Sequence, residues 1–342
     1  MSVSDRTRTW RLATAALAVG IGAGSYADMA AGQSAAVLAV YDTVDIHVAT
    51  ANRIAGNDAN VRAALRLCAL PGAAAGAQPA AAATAEPTKI FDNLYFIGVT
   101  GVSAWAVTTS AGIIVIDSLN NPREAETFIE GGLRKLGLDP MQVKYVVITH
   151  GHADHYGGAQ YLADKLKAQL VMSETDWNFL STAQRSTNPE RGPIPRRGMS
   201  VKNGDKLTLG DTTIEIVETP PHTPGAISLI IPLKEGNARH VGALWGGIGF
   251  NFQRTEQNFT TYSNSVGKFA EIARARNADV PMANHPNFDN ALIKIAALKA
   301  RRAGQPNPFV LGGDVQRRIF DVQQECALAQ RATLRTAASA KK

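Results

Sequence analysis

Cysteine is almost missing from this chain: Cys68 and Cys326 are the only two among 342 residues. So sparse a pair is no disulfide framework, and a packed core must carry the stability. Neither has a close His or Cys neighbour, which excludes a thiolate metal site or a redox pair built on them. Sequence separation alone leaves open whether they pair. Aromatic residues are few, at 6%, and the net charge of +6 is mild. No stripe of Lys and Arg with interleaved aromatics occurs, so nucleic acid is not an expected partner. The apolar run Leu12 to Gly24 is too short and too Gly-rich to span a bilayer comfortably. No stable membrane insertion is expected.

What that run does fit is an export signal. Arg6, Arg8 and Arg11 lie ahead of or at its start, and Ser25-Tyr26-Ala27 offers small residues where a signal peptidase reads. Residues 1–27 are expected to be a signal peptide, with an uncleaved anchor as the alternative, and the protein to be periplasmic or secreted. Residues 28–87 read as a helical segment, Ala35 to Leu70, followed by a linker of Ala, Gly and Pro, Pro71 to Pro87. Residues 88–342 read as the folded body.

Within that body, Asn93 to Val99 and Val102 to Thr108 predict a hairpin about Gly101. Gly112 to Asp117 is a continuous apolar strand ending in an acid, and Val143 to Ile148 is the next apolar strand. Short strand-like pieces follow at Gln169 to Met172, Lys206 to Leu209, Thr213 to Glu218, Ser228 to Pro232 and His240 to Trp245. Helical spacing predicts helices over Arg123 to Leu136, Ala159 to Lys167, Glu174 to Gln184, Tyr262 to Arg276, Ala291 to Ala303 and Val315 to Leu334. Arg185 to Ser200, with three prolines and four arginines, reads as a loop. Strands and helices in mixed order argue for an α/β protein whose helices cover its sheets.

Histidine is scarce, with seven in all, yet three fall in His150-Gly151-His152-Ala153-Asp154-His155. Imidazole and carboxylate are the usual ligands of zinc and similar divalent ions. In extended chain His150 and His152 point the same way and can hold one ion together. Asp154 and His155 follow where the chain turns into a helix, so they aim at a different point. The spacing suggests two neighbouring metal sites. His222 lies in Thr219-Pro220-Pro221-His222-Thr223-Pro224-Gly225, and His285 in Asn284-His285-Pro286. Prolines fix φ around both, which suits side chains that must be held in place. His47 and His240 read as structural. Trp177, Phe179, Trp245, Phe250 and Phe252 are candidates for pocket walls.

This set resembles the metallo-β-lactamase superfamily. The H-x-H-x-D-H run, the T-P-x-H-T-P-G turn, His285, the strand Gly112 to Asp117 and the stretch Phe91 to Gly98 carry the resemblance. It implies a four-layer αββα sandwich over residues 88–342. Lactonase and glyoxalase-type members carry an aspartate between the last two histidines, and here only Asp279 lies there, poorly placed. Two lactamase subclasses carry a cysteine there, and this stretch has none. The resemblance therefore narrows to the third subclass, whose ligands are all His and Asp. It implies two Zn2+ ions, one on His150, His152 and His222, the other on Asp154, His155 and His285. It also implies that Asp117 supports the cluster from behind and that Asp154 acts in catalysis by orienting a metal-bound hydroxide. The implied activity is cleavage of the amide bond of a β-lactam, a small-molecule substrate, by that hydroxide.

One departure concerns the substrate. The subclass has a serine-containing strand end that binds the β-lactam carboxylate. The matching stretch here, Leu244 to Asn251, has Gly246, Gly247 and Gly249 and no serine. A dizinc hydrolase of another amide, lactone or ester is the alternative. A non-catalytic zinc-binding protein is a third reading.

Overall fold

Strands that are apolar at every position must be buried on both faces. Gly112–Ile116 (β4) is such a run, and it pairs in parallel with Val143–Val147 (β5), which is apolar but for the exposed Lys144. The computed structural model describes residues 42–69, 85–183 and 188–339. The expected signal peptide and nearly all of the expected linker lie outside the described residues. The seven-stranded sheet runs in the order β1 to β7. Its other strands are Thr88–Phe91 (β1), Leu94–Phe96 (β2), Trp105–Thr109 (β3), Gln169–Ser173 (β6) and Met199–Val201 (β7). Pairing is antiparallel from β1 to β4 and parallel from β4 to β7.

The second sheet has five strands: Lys206–Leu209 (β8), Thr212–Glu218 (β9), Ile227–Glu235 (β10), Ala238–Trp245 (β11) and Val280–Ala283 (β12). It is antiparallel except for the parallel β11–β12 edge. The two sheets face each other. Ile114, Ile116, Val147 and Val171 of the first pack with Ile214, Ile216, Leu229 and Ile231 of the second. The two-residue period of a strand sends the alternate side chains outward. Val115, Val146 and Ile148 therefore meet Ile129, Leu133, Leu162 and Leu166 on helical segments. On the far side Val217, Ile230, Ala243 and Trp245 meet Phe259, Tyr262, Phe269 and Phe320. Helix, sheet, sheet and helix thus make the αββα sandwich of the α/β class.

The helices follow local rules. Val44–Ala55 (α1) is capped by Thr43, whose hydroxyl accepts a backbone N–H. Ala159–Leu166 (α2) follows the histidine run, and Glu174–Thr182 (α3) is capped by the Ser173 hydroxyl in the same way. Glu256–Ala275 (α4), capped by Thr255, starts before the expected Tyr262 because its first turn is polar and shows no apolar period. Ala291–Lys299 (α5) and Gly312–Ser339 (α6) follow. The expected helix over Arg123 to Leu136 is present, with its middle turn widened into a π-helix at Ala125–Glu130. Strands β1 and β7 were not legible as strands, since each gains its partners only from the sheet edge it extends.

The N-terminal helical segment packs on the body. Arg318 on α6 donates to the carbonyls of Ile54 and Ala55, at 3.0 and 2.9 Å. Gln330 donates to the carbonyls of Leu67 and Ala69. Cys68 and Cys326 are joined in a disulfide. Among the described residues no helix is long and apolar enough to cross a membrane.

Candidate metal centre

Parallel strands place their carboxyl ends together, and that is where open α/β sheets gather polar loops. Asp117 follows β4, and Thr149 to His155 follow β5. His222 follows β9, Gly246 to Gly249 follow β11, and Asn284 and His285 follow β12. The chain leaves β4 with Asp117 and Leu119 in the left-handed region, at φ 60° and 63°. Non-glycine residues rarely sit there, and such strain gathers at functional sites.

Two groups of donors converge. One is His150, His152 and His222, the other Asp154, His155 and His285, and within each the ligand-type atoms all lie within 4.8 Å of one another. His222 Nε2 is 3.1 Å from His150 Nε2 and 3.0 Å from His152 Nδ1. His155 Nε2 is 3.3 Å from His285 Nε2 and 3.6 Å from Asp154 Oδ2.

The outer ring atoms settle the tautomers. His222 Nδ1 donates to the Gly249 carbonyl at 2.5 Å, and His285 Nδ1 to the Gly101 carbonyl at 2.8 Å. His155 Nδ1 donates to Asp117 Oδ2 at 2.8 Å. The Thr149 hydroxyl spends its proton on Asp117, at 2.9 Å, so its oxygen accepts from His150 Nδ1 at 3.1 Å. In the neutral ring, turning these protons outward leaves Nε2 of each of the four as an inward lone pair. Lone pairs at these separations repel unless a cation lies among them. The donor set therefore fits one metal ion per group, with the outer bonds fixing ring orientation as metal-bound histidines require.

Electrostatics agree. Burial, helped by the neighbouring imidazoles, holds His150 well below its ordinary value. Burial brings His152 to about 4 and His222 to about 3. Burial also lowers His285. These four rings are neutral near pH 7. His155 moves the other way: burial opposes its charge, but the Asp117 and Asp154 carboxylates overcome it. Carboxylates that favour a positive charge at this point also suit a cation. Asp154 resists burial in turn, kept low by His155, His285 and Arg191.

Several supporting residues had no sequence signal. Asp176 on α3 is fully buried. Its carboxylate accepts from Gly151 N at 2.7 Å, Thr223 Oγ1 at 2.5 Å and Gly225 N at 2.7 Å. It ties the loop of His150 and His152 to the loop of His222. Its partners lie 25 to 49 residues away, so in sequence it reads as one more acid in a helix's first turn. Asn284 bridges the Gly246 carbonyl and Thr149. The glycines after β11 also have a structural use: a Cβ on Gly247 would lie 2.6 Å from His222 Cβ.

Of the aromatic wall candidates, Trp177 and Trp245 are buried core. Phe250 and Phe252 pack on Phe259 and Tyr262. Phe179 lies against Gly151, between two of the histidines. Asp279 turns away from the cluster and holds His240 Nδ1 at 2.6 Å. His47 lies between Asp42 and Glu325.

Comparison with known proteins fits this geometry. Residues 97–235 match the sequence profile of the metallo-beta-lactamase superfamily. A stretch of 104 residues is 29% identical to the hydroxyacylglutathione hydrolase of Brucella ovis. That match covers 30% of this chain and 34% of the relative, so the chain is aligned with only about a third of it. Among solved structures, BJP-1, a subclass B3 metallo-beta-lactamase of Bradyrhizobium japonicum, is similar at a TM-score of 0.62 and 26% identity. The similarity covers 75% of this chain and 96% of that one. FEZ-1, a metallo-beta-lactamase of Legionella gormanii, has a TM-score of 0.59 at 21% identity, over 75% and 96% of the two chains, and shares the fold. Profile, fold and the converging donor groups together identify a metallo-beta-lactamase superfamily domain in this chain, built on the fold of the subclass B3 enzymes.

Proposed function

We propose that the chain is an exported hydrolase that binds two zinc ions and opens the amide bond of β-lactams. The observation that carries this reading is the pair of donor groups, His150–His152–His222 and Asp154–His155–His285, with the outer nitrogens of His222 and His285 held by backbone carbonyls. Zinc bound by such groups supplies Lewis acidity and lowers the pKa of water towards neutrality, to about 7.

The chain's own residues do the rest. Asp117 orients the His155 ring and fixes its tautomer. Asp154, part-exposed at the mouth of its group, accepts a hydrogen bond from the attacking water and orients it towards the carbonyl carbon. The water oxygen bonds to that carbon, the carbon–nitrogen bond breaks, and the water's protons end on the new acid and the amine. No serine or cysteine nucleophile is required, and Cys68 and Cys326 are tied in their disulfide.

A second reading, hydrolysis of an acyl thioester, is favoured by the match to hydroxyacylglutathione hydrolase. Against it stands Asp279, the only aspartate between His222 and His285, which is engaged with His240 and Val241. Purified full chain is expected to hold two zinc per chain and to hydrolyse a penicillin, a cephalosporin or a carbapenem. His152→Ala is expected to abolish turnover. Turnover of thioesters or lactones with no β-lactam above a metal-free control would replace the first reading with the second.

A further inference from the structure

The loop between α3 and β7 carries three described arginines, and two of them have acids to hold. Arg196 pairs with Asp164, and Arg197 lies 3.9 Å from Glu174. Arg191 has no carboxylate partner among the described residues. There its side chain donates from Nη1 to Asn120 Oδ1, a neutral amide oxygen. The guanidinium has five N–H donors in a planar fork, so that bond leaves most of its capacity unspent on the described residues.

The backbone holds this arginine beside the metal centre. Gly192 N donates to the Asn120 carbonyl at 2.7 Å, which closes the loop onto the segment that leaves Asp117. Asn121 Nδ2 donates to the Glu190 carbonyl at 2.9 Å. Contact is so close that a Cβ on Gly192 would lie 1.9 Å from the Gly157 carbonyl oxygen, two residues past His155. From this position the Arg191 charge acts on His152, Asp154 and His155. The strand end Gly246 to Gly249, by contrast, offers no side-chain hydroxyl.

We propose that Arg191 is the specificity-determining residue of this centre and binds a carboxylate on the substrate. A guanidinium fork matches a carboxylate in a bidentate pair. The inference rests on the hydrolase reading and deepens it: the enzyme takes anionic substrates, and recognition comes from the 188–198 loop, not from the strand end after β11.

The test uses the zinc-loaded full chain as wild type, Arg191→Ala, Arg191→Lys and Arg197→Ala. Each is assayed on benzylpenicillin and its methyl ester, and on an S-acyl glutathione and a neutral acyl thioester. Arg191→Ala is expected to raise KM for the acid about ten- to a hundredfold, the worth of a charged hydrogen bond, with kcat little changed. The ester or neutral thioester should lose nothing. Arg191→Lys should recover part of the loss, and Arg197→Ala should behave as wild type. Equal losses on acid and neutral substrates, or none on either, overturn the proposal. If only the thioesters turn over, the β-lactam reading falls while Arg191 is still judged on that pair. Calorimetric binding of benzylpenicilloate, the ring-opened diacid, reads the same contact without turnover. Where β-lactams are turned over, failure of wild type to bind it tighter than Arg191→Ala also overturns the proposal.

Discussion

Removing the Asp176 carboxylate should loosen two loops at once. Its oxygens accept from Gly151 N, Thr223 Oγ1 and Gly225 N, and the residue is fully buried. In Asp176→Ala all three donors lose their acceptor in a site closed to water. Each unsatisfied buried donor costs about 1–3 kcal/mol, so the loss is about 3–9 kcal/mol. That is a large part of the roughly 5–15 kcal/mol typical of a domain, and the variant can fail to fold. Asp176→Asn is the finer probe. Turning its amide nitrogen towards Gly225 keeps the bonds to Gly151 and Thr223 and sacrifices one, at about 1–3 kcal/mol. Because Gly151 lies between His150 and His152, and Thr223 follows His222, metal affinity should fall as well. Supporting residues of this kind are worth about 10- to 100-fold in affinity, and Asp176, acting through backbone, belongs at the lower end. Urea unfolding of the metal-depleted chain measures the first effect, and competition with a chromophoric chelator the second. Unchanged midpoint and unchanged affinity in Asp176→Asn would refute the reasoning.

Two further outcomes are expected. His47 Nδ1 lies 2.7 Å from Glu325 and its Nε2 2.9 Å from Asp42, and the Glu325 bond raises its pKa above the ordinary 6.5 despite burial. Folding therefore favours the protonated ring: this stabilisation is complete below about 6.5 and is lost as pH rises through the raised folded-state value. Urea midpoints from about pH 5.5 to 9, a range that brackets the histidine titration, should show that decline in wild type and a flatter profile in His47→Gln. The Cys68–Cys326 disulfide closes a separation of 258 residues, and removing a native disulfide costs about 2–5 kcal/mol. A Cys68→Ser/Cys326→Ser double variant should unfold at lower urea, while keeping its zinc content, because the bond joins the N-terminal segment to α6 on the outer face of the second sheet. Loss of zinc in that variant would contradict this placement.

What the chain declares locally is legible without a structure. The apolar runs of β4 and β5, the alternation of β9 to β11 and the helical periods of α2 and α6 follow from side-chain pattern alone, since pattern decides which faces must leave water. The histidine run and the two proline-flanked histidines stand out for the same reason: scarce residue types at short spacing. What distance in sequence conceals, only the tertiary structure decided. It brought His222 to within 3.1 Å of His150 and His285 to within 3.3 Å of His155. It buried Asp176 beneath two loops, joined Cys68 to Cys326, and left Arg191 without an acid among the described residues while its neighbours Arg196 and Arg197 have one nearby. These depend on long-range packing of the two sheets, and a side chain's partner across 25 or 258 residues leaves no mark on the residues beside it.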